Sequence, residues 1–192
     1  MNDEMYPSGA TVQSMTPTRL IGSKGATICL VLSLMLPLLA LAAPAGLYNI
    51  DEVIYSLGAF AVAQNGNFVV ETGWAEYGSD DLRLWFLVEG PDGLVPQYPP
   101  GSALAGAPVL ALFGLRGLFL LNALAVAATL WLTRWLALRA YGDERIALLA
   151  PVLLIFATFL PEYAFAVWPH ATSLALGLGA LVLAIRASDQ VD

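Results

Sequence analysis

Apolar and polar positions follow one another along this chain in long blocks. From Ala26 to Tyr48 no charged residue occurs, and Arg19 and Lys24 stand just before the block. About 20 apolar residues cross the hydrocarbon core of a bilayer, so the block predicts a first transmembrane helix over 26–48. Residues 1–25 are rich in Ser, Thr, Pro, Met and Gly and lack apolar periodicity; they read as a disordered tail. A cleaved signal peptide is the competing reading, because Ala40-Leu41-Ala42 resembles a cleavage site. The block is longer than a signal core and further apolar blocks follow, which favours an uncleaved anchor.

The pattern changes over 49–101. Asp51 to Gln64 has helical periodicity, with Val53, Leu57, Phe60 and Ala61 on one face. Asn65-Gly66-Asn67 ends it. Phe68 to Val70 suits a short extended piece, and Gly90-Pro91-Asp92-Gly93 is a turn signal. The segment therefore predicts a structured loop with an interfacial helix. Apolar character resumes after Tyr98-Pro99-Pro100-Gly101. The block 102–114 is too short to span, whereas 115–138 is long enough. Blocks over 145–161 and 168–187 follow, separated by Pro161-Glu162-Tyr163-Ala164-Phe165-Ala166-Val167-Trp168-Pro169-His170. The expected fold class is an all-α membrane protein with about four transmembrane helices and a structured extracytoplasmic first loop.

Composition strengthens this picture. The chain is 58% hydrophobic and only 12% charged, where an ordinary soluble domain is about half apolar and a quarter charged. Its mean hydropathy is +0.72. The net charge of -7 argues against a nucleic-acid partner. The single cysteine, Cys29, lies in an apolar block and supports neither an intrachain disulfide nor a cysteine metal cluster.

The layout of charge sets the orientation. Acids crowd the loop (Asp51, Glu52, Glu71, Glu76, Asp80, Asp81, Glu89, Asp92), against the lone base Arg83. Arg19, Lys24, Arg134, Arg139, Arg145 and Arg186 fall on one side of four spans, provided 102–114 lies in the interface or re-enters. The positive-inside rule then puts both termini, including the 188–192 end, in the cytoplasm and the acidic loop outside the cell membrane. A re-entrant 102–114 must be shielded by protein, since lipid cannot satisfy free backbone groups. Trp131, Trp135 and Trp168 lie near span ends, where aromatic belts occur.

Candidate chemistry concentrates in Tyr48-Asn49-Ile50-Asp51-Glu52-Val53-Ile54-Tyr55. One reading is a capping box, with Asn49 as N-cap and Glu52 reaching back. The other is a catalytic carboxylate, Asp51, beside the membrane. The two are compatible: Glu52 fixes the turn while Asp51 projects toward a substrate. Gly101 and the small residues after Pro99 and Pro100 suit a loop-to-membrane elbow or a backbone cradle. Tyr98 suits stacking on a sugar or bonding a phosphate. Glu162 and the sole histidine, His170, sit on the same side as Asp51. They suit a headgroup-level position, a phosphate contact or a shared metal site. Asp80 and Asp81 read as solvated charges or a divalent-cation pair. A divalent cation is thus the one cofactor left open, with the metal ligands unknown. No Walker loop, Rossmann fingerprint, HExxH or GxSxG occurs.

Taken in order, these features resemble the amino-terminal part of integral-membrane GT-C glycosyltransferases. They are a basic-flanked first span, Asp51-Glu52 opening the external loop, a helix ending in Asn65-Gly66, the Tyr98-Pro99-Pro100-Gly101 entry, and short spans around a polar hairpin. The resemblance is closest to the protein mannosyltransferase, aminoarabinose transferase and RgtA/B/C/D-like branch. It covers about residues 20 to 187. It implies transfer of a hexosyl or pentosyl group, with inversion, from a polyprenyl-phosphate-linked donor on the extracytoplasmic face. By this resemblance Asp51 is the catalytic base or acceptor-binding carboxylate and Glu52 supports it. Tyr98, Pro99 and Pro100 match the entry near the donor phosphate, and His170 matches a polar position opening a later span. Tyr55 and Glu162 are counted with them as substrate-binding. Members often carry a basic residue just ahead of the prolines, where this chain has Gln97 and Tyr98. They usually have many more spans, so the chain is expected to be a truncated or partial form, or to work with a further membrane subunit. The alternative is a non-enzymatic membrane subunit or remnant whose loop binds a lipid-linked glycan or a partner protein.

Overall fold

A computed structural model describes residues 24–44 and 46–190. The tail expected over 1–25 lies outside the described residues except for its last two, and the terminal end lies outside from 191 onward. Helices take up 72% of the described residues, and the one sheet among them is a two-stranded hairpin. The all-α class is therefore plain. In chain order the helices are α1 (Lys24–Ala42), α2 (Ile50–Asn65), α3 (Trp74–Tyr77), α4 (Gly101–Phe113), α5 (Leu115–Tyr141), α6 (Glu144–Phe156), α7 (Leu160–Ala164) and α8 (His170–Ser188). Strands β1 (Leu87–Gly90) and β2 (Gly93–Pro96) lie between α3 and α4.

Among the described residues three helices are long and apolar enough to cross a membrane: α1, α5 and α8. The central one is α5, against which α1, α4, α6, α7 and α8 all pack. Its inward face carries Phe119, Ala123, Val126 and Leu130, spaced three and four residues apart as one helix stripe requires. Alanines such as Ala40, Ala164 and Ala171 meet it and let the backbones approach closely. At 27 residues, α5 is about 40 Å long.

The segment expected to span over 145–161 is helical for 13 residues in α6, with Pro151 inside, and resumes as α7 after a break. The Thr158 hydroxyl marks that break, accepting the Leu160 N–H at 3.1 Å and donating to the Leu154 carbonyl. Both α6 and α7 pack against α5. Glu144 opens α6 at one end, bound to Arg134 at 2.7 Å. The segment after α7 reaches the other end, where Trp168 meets Asn49. Arg134 is 0% exposed, and a Cβ on Gly25 would come within 3.0 Å of its guanidinium. Arg139 and Asp189 form a second ion pair at this end.

The 102–114 block forms α4, 13 residues and about 20 Å long. It folds back along the first turns of α5. A Cβ on Gly117 would collide with the Val109 carbonyl oxygen, so glycine permits this contact. In the loop, Gly66 closes α2 in a left-handed conformation at φ 68°. The hairpin pairs Gly90 with Gly93 around Pro91-Asp92, as the turn signal predicts. Val70 adds a backbone bond to Leu94 at 2.8 Å. The buried face of α2 corrects the expected one. Ile54, Gly58, Ala59 and Ala61 are buried, Val53 and Leu57 are half-buried, and Phe60 is exposed. The helix has two partners: Ile54 and Ala61 join the loop core with Val70, Leu87 and Leu94, whereas Ala59 joins the bundle core.

Candidate functional site

The site grows from the first turn of α2. Asn49 is its N-cap, in an extended conformation, and its Oδ1 accepts the Glu52 N–H at 3.0 Å. Glu52 Oε1 accepts from Asn49 Nδ2 at 2.8 Å. The reciprocal arm of the expected capping box thus runs to the asparagine side chain, where the usual motif uses the N-cap backbone N–H. Glu52 is only 2% exposed, and its Oε2 has no partner with hydrogen-bond geometry. Burial pushes its carboxyl above the usual carboxylate range. The Val167 and Tyr48 backbone N–H groups and Asn49 oppose that shift, and the charge of Glu162 adds to it.

Asp51 is one position earlier, hence about 100° round the helix, and faces the loop. Tyr98 donates its hydroxyl to Asp51 Oδ1. The Tyr98 ring lies between Tyr55, at 4.6 Å between centroids, and Phe86, at 5.8 Å. Phe86 holds a left-handed backbone at φ 68°, which a bulky residue adopts only under strain. The Tyr98 phenol is pushed up to about 12, by burial first and then by its bond to Asp51. It therefore remains a donor at neutral pH. Burial, then the charge of Asp51, raises Tyr55 as well.

A second set of contacts ties the loop to the bundle. Asn122, inside α5 and 5% exposed, donates from Nδ2 to the carbonyls of Ala166 and, at 2.9 Å, Trp168. Its Oδ1 accepts the Thr172 hydroxyl at 3.0 Å. Trp168, so held, donates its indole N–H to Asn49 Oδ1 at 3.3 Å. The chain of bonds runs from α8 through α5 and the 165–169 turn to the cap of α2. Tyr163, Trp168 and His170 form a ring cluster, His170 stacking on Tyr163 at 4.8 Å.

Two cavities adjoin these groups. The larger, about 320 Å³, lies among α2, α4, α5 and α8, with Tyr55, Pro99, Asn122, Trp168 and Thr172 in its wall. The smaller, about 280 Å³, lies between α2 and the hairpin and is lined by Tyr98, Pro99 and Pro100, with Tyr55 again. The structure thus brings Asp51, Tyr55, Tyr98 and Pro99 together. Pro100 caps α4. Glu52 sits behind them, in the joint with Trp168. Asp51, Glu52, Glu162 and His170 line neither cavity, and Glu162 and His170 are exposed. Among the described residues no group of three His, Cys, Asp or Glu side chains is arranged to hold a metal ion. Asn122, Thr172 and the Trp168–Asn49 bond were not anticipated. The available signal was Asn122 itself, a lone amide in an apolar block, since polar residues within spans find partners.

No family model, curated protein or solved structure matches this chain.

Proposed function

We propose that this chain is a membrane glycosyltransferase of GT-C type, or the site-bearing part of one, working on the extracytoplasmic face of the cell membrane. It takes a hexosyl or pentosyl group from a polyprenyl-phosphate-linked donor. On this reading α1, α5, α6 with α7, and α8 are four crossings, and α4 lies in the interface. The acidic loop is outside and both termini are cytoplasmic. The clustering of Lys24, Arg134, Arg139, Arg145 and Arg186 away from the loop supports that orientation.

The observation that carries the reading is Asp51, at a helix N-terminus and bonded to Tyr98, whose ring lines the smaller cavity with Tyr55 and Pro99. The acceptor hydroxyl displaces Tyr98 from the carboxylate. Its oxygen bonds to the anomeric carbon as the bond from that carbon to the phosphate oxygen breaks. The hydroxyl proton passes to Asp51, and polyprenyl phosphate leaves with the bonding pair. The phosphate is already a good leaving group, so positioning supplies much of the acceleration. Glu52 and Asn49 act through the helix cap.

One observation favours the second reading, a non-enzymatic subunit that binds a lipid-linked glycan: the Asp51 carboxylate already has a partner in Tyr98. Asp51→Asn separates the two. Purified variant and parent, reconstituted in liposomes with radiolabelled donor, should differ by about a hundredfold or more in transfer, within the range lost with a general base. Donor binding should remain. Equal transfer would sink the assignment of Asp51. Binding without turnover in the parent would favour the subunit.

A further inference from the structure

The larger cavity carries no charge. Its polar wall consists of Tyr55, Ser102, Asn122, Trp168, Thr172 and Ser173, and no acidic or basic side chain lines it. Asn122 spends its amide hydrogens on Ala166 and Trp168, and the Thr172 hydroxyl is turned to Asn122. That leaves the Ser102, Ser173 and Tyr55 hydroxyls, each both donor and acceptor, to meet a ligand. Leu118, Leu121 and Leu176 supply an apolar side. The nearby carboxylate, Asp51, is held by Tyr98. At about 320 Å³ the space is at the small end of ligand cavities, the scale of one sugar ring.

A mostly apolar wall carrying a few hydroxyls, an indole and a phenol suits a neutral sugar. Ring hydroxyls exchange bonds with Ser102 and Ser173, and the ring's C–H face packs on an aromatic. A carboxylate or an ammonium placed there would lose its water and find no opposite charge, which is costly. Resting on the transferase reading above, we infer that this cavity selects an uncharged hexosyl or pentosyl unit and rejects uronic acids and amino sugars.

The test uses the full chain in nanodiscs and synthetic donors on one polyprenyl phosphate: a neutral hexose, the matching uronic acid and the matching amino sugar. The sugar-free lipid phosphate is the reference. The phosphodiester and lipid are common to the three sugar donors, so their contribution cancels among those three. The neutral donor should bind at least tenfold tighter than either charged donor and than the sugar-free lipid. Ser173→Lys, at an exposed position, should shift the preference toward the uronic acid by at least tenfold. Ser102→Lys serves if that protein does not fold. Three sugars bound within threefold of one another, or a neutral donor bound no tighter than the sugar-free lipid, would overturn this inference alone. If no donor and no lipid phosphate binds, the transferase reading falls and takes the inference with it.

Discussion

Asn122→Ala is the most informative single change in this chain. The amide makes three bonds, to the Ala166 and Trp168 carbonyls and from the Thr172 hydroxyl. A buried hydrogen bond contributes about 1 kcal/mol net, so three give about 3 kcal/mol. Side-chain bonds between membrane helices average nearer 0.6 kcal/mol, which would give about 2 kcal/mol. The larger value is expected here, because Asn122 is 5% exposed and alanine leaves two backbone carbonyls without partners. For a chain of this size 1 kcal/mol moves the melting midpoint by about 2–4 °C, so the shift should be roughly 6–12 °C. Thr172→Val removes one of the three bonds and should cost about a third as much. The double variant should melt where Asn122→Ala does, since the Thr172 bond is already gone. Melting is followed by fluorescence in detergent. Amide exchange should quicken at Trp168 and, through Asn49, at Glu52. A shift below about 2 °C, or additive effects in the double variant, would refute the account of Asn122 as the fastener between loop and bundle.

Two further outcomes follow from the same geometry. The folded protein holds the Glu52 carboxyl above its ordinary value near 4.5, chiefly by burial. Its contribution is therefore full below that value and is lost as pH rises through the folded one. Melting should rise as pH falls from neutral toward 4.5, and Glu52→Gln should flatten that rise; an unchanged slope in the variant would count against it. Gly117→Ala drives a methyl into the Val109 carbonyl and should cost about 1–3 kcal/mol by parting α4 from α5. Gly177→Ala, which meets nothing within 4 Å, should leave melting unchanged or slightly raised, and equal losses at both sites would refute the packing described.

Much of the fold follows from local signals. Asn49 opens α2 and Gly66 closes it. Gly90 to Gly93 turn the hairpin, and 102–114 is too short to stand as a separate crossing. These features are legible because caps, turns and length act over a few residues. What the sequence left hidden depends on partners far along the chain. Of the expected stripe Val53, Leu57, Phe60 and Ala61 only Ala61 is buried, because the helix serves two cores and a single apolar stripe cannot encode both. Arg134 looked like a flanking charge, but it is fully buried against Glu144. Asp51 and Glu52 were visible as a pair. That they part company follows from the bond of Asp51 to Tyr98, 47 residues on, and from that of the Asn49 cap to Trp168, 119 residues on.

The Trp168–Asn49 bond also sets an order of events during synthesis. Asn49 leaves the ribosome 119 residues before Trp168. At about 5–20 residues per second that gap lasts roughly 6–24 s. Throughout it the start of α2 has its own cap, but the lid of residues over Glu52 does not yet exist. Water can reach the carboxyl until the 165–169 turn arrives and closes over it. The nascent loop therefore waits, partly finished, for the last helix pair. A chain halted before Trp168 would carry the acidic pair, yet leave Glu52 open to solvent and the first loop unfastened from α5.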